Sequence, residues 1–145
     1  MSTGLDVFDR TLQITNTWLG EIEETLGPDR HVAWHVLGAV LRALRDRLPI
    51  ELAAHLGTQL PLLVRGAYYE HFRPGHAPAK IYTEEEFLTY VSNDLGGIRP
   101  VNVRKAVRSV FAVLGRHVTP EQIEKVQRSL PEHIRAMWPA PGEPI

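Results

Sequence analysis

An all-α fold is what these 145 residues predict. Three observations carry it. Apolar residues recur at steps of three and four through most of the chain, no segment alternates apolar and polar residues at the period of a strand, and prolines stand where helical stretches open.

Leu5, Phe8, Leu12, Thr15, Leu19, Ile22 and Leu26 form one such series, predicting a first helix from about Leu5 to Leu26 with a continuous inward stripe. Thr3 and Asp6 resemble a capping box before it, and Gly27-Pro28 supplies a stop after it. Val32, Val36, Leu37, Val40, Leu41, Leu44 and Leu48 predict a second helix whose wide stripe needs cover on more than one side. Pro49 and Pro61 then open a third and a short fourth helix, because proline's fixed φ and missing N–H suit a first helical turn. Residues 73–82 hold Pro74, Gly75 and Pro78 without helical pattern and read as a linker.

The pattern then repeats. Thr83-Glu84-Glu85-Glu86 forms a capping box leading into Phe87, Leu88, Val91 and Leu95. Val103, Val107, Val110, Phe111, Leu114 and Val118 make the next stripe, Thr119-Pro120 opens the following helix, and Pro131 opens one ending near Trp138. Leu26-Gly27 aligns with Leu95-Gly96 and, after a one-residue shift, Leu60-Pro61 aligns with Leu130-Pro131. At the shifted spacing Val40, Leu44, Glu51 and Arg65 fall on Val110, Leu114, Glu121 and Arg135. The expectation is a single domain over 1–145 made of two tandem four-helix repeats, 5–72 and 83–138, with a frayed tail at 139–145. Two halves could form separate bundles or share one core. The short linker and wide stripes favour a shared core with pseudo-twofold symmetry.

Composition narrows the function classes. Hydrophobic residues are 43% and charged residues 23%, as in ordinary globular domains. No cysteine is present, which excludes disulfides, thiolate metal sites and a cysteine nucleophile. The opening residues lack a signal-peptide pattern and no apolar run approaches a membrane span, so a soluble, cytoplasmic protein is expected. A net charge of -1 offers no general attraction for nucleic acid or an anionic membrane surface.

The run Leu44-Arg45-Asp46-Arg47-Leu48-Pro49, followed by Gln59-Leu60-Pro61 and Arg65-Gly66-Ala67-Tyr68-Tyr69, with Pro74, Pro78, Leu130-Pro131 and Trp138-Pro139, resembles the domain of unknown function 2267 family over about residues 15 to 139. The resemblance implies a bacterial, helical, internally duplicated domain and carries no activity, cofactor or catalytic residue with it. Phe72 stands where that pattern leads one to expect tryptophan.

Candidate sites are few. His31 and His35 are four apart, a spacing that lets two imidazoles face one metal ion, but Val32, Ala33 and Trp34 between them supply no general base and a solvated helix face also accounts for them. Arg99, Arg104, Lys105 and Arg108 lie in a stretch without acidic residues and could meet an anion; Arg104, Lys105 and Arg108 are expected on the outer side of their helix, where a solvated face explains them as well. Arg65, Tyr68, Tyr69 and Trp138 could line a groove between the fourth helices, with core packing as the plainer account. No serine elbow, Walker loop or dinucleotide glycine pattern occurs, so neither catalysis nor a cofactor is expected. The leading expectation is a non-enzymatic helical module that binds a protein partner or its own copy. A small-ligand or metal-binding domain is the alternative, and weak nucleic-acid binding through the basic stretch a third.

Overall fold

The computed structural model describes residues 2–145, and among these it is all helical, with eight α-helices and no strand. No helix among them is long and apolar enough to cross a membrane. The helices are α1 (Asp6–Leu26), α2 (Arg30–Arg47), α3 (Ile50–Thr58), α4 (Leu62–Tyr69), α5 (Glu84–Asp94), α6 (Val103–His117), α7 (Pro120–Arg128) and α8 (Glu132–Arg135).

Local chemistry sets most boundaries. Pro49, Pro61 and Pro131 each stand just before a helix, and Pro120 lies in the first turn of one. Thr83 caps α5 by accepting from the Glu86 amide at 3.0 Å, while the Glu86 carboxylate accepts from the Thr83 amide at 3.1 Å. Asp29, Asn102 and Thr119 cap α2, α6 and α7 in the same sense. Gly27 ends α1 at φ 101°, a left-handed conformation that a side chain would strain. The Thr3–Asp6 box does not form. Leu5 occupies the cap position without a side-chain bond, and Thr3 instead donates its amide and hydroxyl to Asp9 Oδ1 at 2.7 and 2.9 Å.

One apolar cluster runs from Trp18 to Met137 and draws on both halves of the chain. Val36, Leu37, Val40, Leu41 and Leu44 of α2 and Val107, Val110, Phe111 and Leu114 of α6 are fully buried. These two helices touch each other, α3 touches α7, α1 packs on α2 and α6, and α5 packs on α2 and α6. The 73–82 segment contains a single 3-10 turn at Pro74–His76 and lies against α2: the Ala79 amide donates to the Asp46 carbonyl at 2.6 Å, and Arg47 Nε donates to the Ile81 carbonyl at 2.6 Å. The tail, read from sequence as a frayed end, is joined to the body by Arg108, which donates to the Pro144 carbonyl and the Glu143 carboxylate.

The α1 stripe departs from expectation in one respect. Thr15, Leu19 and Ile22 are buried, but Leu5, Phe8 and Leu12 are 53%, 48% and 40% exposed. The reason is length. α1 has 21 residues, about 32 Å at 1.5 Å per residue, whereas α4, which meets its N-terminal half, has only 8. The helix therefore outruns its cover.

Candidate functional site

The last turns of α2 gather three other segments. Arg42 and Arg45 are three apart on the helix and both reach the C-terminal end of α4, where carbonyls lack intrahelical partners. Arg42 Nη1 donates to the Ala67 carbonyl at 3.1 Å, and Arg45 Nη1 donates to the Tyr68 and Glu70 carbonyls at 2.8 and 2.7 Å. Each guanidinium has its carboxylate. Arg42 holds Asp94 of α5 through Nε and Nη2 at 2.8 and 3.2 Å, and Arg45 Nε meets Asp46 Oδ1 at 2.7 Å. Tyr90 of α5 donates its hydroxyl to the other Asp46 oxygen at 2.5 Å; partial desolvation and this contact push the Tyr90 phenol up to about 12. Arg45 is 3% exposed, and its guanidinium lies over the Phe72 ring at 4.8 Å.

Between α2, the linker and α5 these groups wall a pocket of about 510 Å³, with Glu70, His71, Arg73 and His76 on its linker side. His71 sits there at φ 59°, in the left-handed region. Sequence reading had singled out none of Arg42, Arg45, Asp46, Tyr90 and Asp94 for this site.

The residues it did single out are scattered. His31 and His35 stack edge to face with centroids 4.4 Å apart, and no group of three or more His, Asp or Glu side chains able to hold a metal ion occurs among the described residues. Tyr68 is fully buried, donating to the Ala53 carbonyl at 2.6 Å, and burial raises its phenol well above the ordinary range. Arg65 donates to the Thr58 and Leu60 carbonyls at the end of α3. Trp138 stacks on Phe111 at 4.2 Å, while Tyr68 and Tyr69 meet edge to face at 4.9 Å in the other half of the chain, with Tyr69 exposed.

The basic stretch is likewise divided. Arg99 binds the Leu26 carbonyl and Asp29, and Arg104 pairs with Glu84 at 2.6 Å. Lys105 remains on the surface. Arg108 is not on the outer side of α6: it is buried and donates to the Met137 carbonyl and to Glu143, whose carboxyl is held below its usual range first by the Ala140 amide and then by Arg108. The acids that balance these arginines come from distant segments, which is why the stretch alone reads as a cationic run.

A second surface feature lies on α1. Ile14, Val7, Trp18, Thr11, Thr15, Phe8, Leu19 and Leu12 span nearly half the helix circumference at about 100° per residue, and Leu5 precedes them at the cap. Thr11, Thr15, Trp18 and Leu19 of that arc are buried, whereas Val7, Phe8, Leu12 and Ile14 are exposed. The Leu63 amide donates to Thr11 Oγ1 at 3.1 Å, placing the exposed Leu62 and Leu63 beside the uncovered turns. On the Ile14 flank a groove of about 410 Å³ runs between α1, Leu60-Pro61 and His117. His117 stacks on Trp18 at 5.3 Å and meets Glu21 at 2.8 Å.

No curated protein matches the chain. The family model described as uncharacterized conserved protein (DUF2267) matches residues 15–137, the greater part of the chain. This helical chain belongs to that family.

Proposed function

We propose that the chain is a non-enzymatic interaction module that associates with a second copy of itself through the N-terminal half of α1 and the start of α4. One observation carries this reading: the apolar arc of α1 continues as exposed Leu5, Phe8 and Leu12 beyond the elements that bury its C-terminal half. Burying one such side chain is worth roughly 1.5–3 kcal/mol, so leaving three in water next to Leu62 and Leu63 maintains a surface that gains by being covered. Asp6, Asp9 and Arg10 of these turns lie on the opposite face, so a second copy can meet the apolar side across a twofold axis without opposing like charges from them.

The absence of native cysteine makes the test direct. Phe8→Cys and Leu12→Cys are oxidised separately at low protein concentration, with Lys105→Cys as an exposed position off this face. Covalent dimers forming faster at positions 8 and 12 support the reading. Equal, slow cross-linking at all three counts against it, and a monomer recovering a different protein through these positions replaces the second copy with that partner.

We further infer that the two halves arose as tandem repeats related by a pseudo-twofold axis. The pairing of second helix with second helix (α2 and α6) and third with third (α3 and α7), with α1 crossing to α6 as α5 crosses to α2, supports this.

A further inference from the structure

We propose that the pocket between α2, the linker and α5 binds the carboxylate of a small organic acid on Arg45 Nη2. A guanidinium has five N–H groups. Arg45 spends Nε on Asp46 and both Nη1 hydrogens on the Tyr68 and Glu70 carbonyls. Nη2 makes no hydrogen bond within the protein and is not sealed from solvent, although the residue is 3% exposed and lines the pocket. The group is also held still, by those three bonds and by the Phe72 ring beneath it. A fixed, nearly buried donor edge on a residue that lines a cavity is a preorganised site for an oxygen acceptor.

The surroundings select the kind of acceptor. Arg42, Arg45 and Arg73 face Asp46, Glu70 and Asp94, so the walls balance in charge. A carboxylate adds one negative charge. Phosphate near neutral pH adds up to two and would lie beside Asp46 and Glu70, where the added repulsion works against it. The volume of about 510 Å³ lies within the range of small-molecule sites and leaves room for the body of the acid. This site shares no residue with the α1 surface and stands or falls independently of self-association.

The test uses the full ¹⁵N-labelled chain and three probes: butyrate, its neutral isostere butyramide, and inorganic phosphate. Butyrate is expected to shift the Asp46, His76 and Ala77 amides saturably with a dissociation constant on the order of 1 mM, and Arg45→Lys, which keeps a cation but loses Nη2, should weaken it about tenfold or more. Should Arg45→Lys fail to fold, the Arg45 guanidinium resonance of the unchanged protein decides, because it must move with butyrate and stay with butyramide. Absence of saturation through the millimolar range, an equal response to butyramide or phosphate, or undiminished binding by the folded lysine variant overturns the proposal.

Discussion

Removing the Arg45 guanidinium strands several partners at once: the Asp46 carboxylate and the Tyr68 and Glu70 carbonyls. Breaking a buried pair on one side costs more than the pair is worth, because the remaining charge and acceptors stay desolvated. Arg45→Met is expected to lower unfolding free energy by about 3–5 kcal/mol in urea titrations. Carboxylates at the surface set the acid response. Asp9, Asp29 and Glu86 are held below their usual range chiefly by backbone amides, of Thr3, Val32 and Tyr82. Their folded values lie below the unfolded ones, so what they contribute is fully present above the unfolded values near 4 and is lost as pH falls through the folded values. Stability should therefore hold level from neutral pH down to about pH 5 and decline as the pH falls through about 4 and below. Thr83→Ala, which removes an acceptor from the α5 box and a donor to Glu86, should cost about 1 kcal/mol at neutral pH and flatten that decline.

At the scale of the element, α1 is one helix with two environments. Phe111→Ala in the α6 core should cost about 3–5 kcal/mol, whereas Phe8→Ser or Leu12→Ser should change the stability of a monomer by no more than about 0.5 kcal/mol. Thermal unfolding at low protein concentration separates the two. The phase of the α1 stripe was legible in the sequence, because spacing reports which residues share a face. How far the stripe is covered was not, because that depends on the length of α4 and its placement, neither of which acts through α1's own pattern. The pocket shows the converse. Leu37, Leu41, Arg45 and Leu48 step by four, four and three, so the arginine stands on the apolar ridge of α2. That misplacement of a charge was a readable signal for a buried ion pair. The groups that meet its neighbours, Tyr90 on Asp46 and Asp94 on Arg42, lie 44 and 52 residues further along and were not readable, since only the folded contact of α2 with α5 brings them together.

For the whole molecule, the apolar cluster that spans both halves ties their stability together. The residues 1–72 alone would expose the faces of α1 and α2 that rest on α5 and α6, and are expected to give no cooperative unfolding transition, while the full chain gives one. Calorimetry of the two checks this. The helical architecture was visible in stripes and prolines, and the site was not, since it is built from ends of elements and a connecting segment whose positions follow from packing. The proposed self-association rests on the exposed surface of α1. Light scattering across a concentration series, on the unchanged chain and on the Phe8→Glu/Leu12→Glu double variant, tests that claim most directly. The account predicts a concentration-dependent dimer for the unchanged chain and a monomer of equal helicity for the variant; an unchanged chain that stays monomeric at every concentration, or a variant that dimerises equally well, would contradict it.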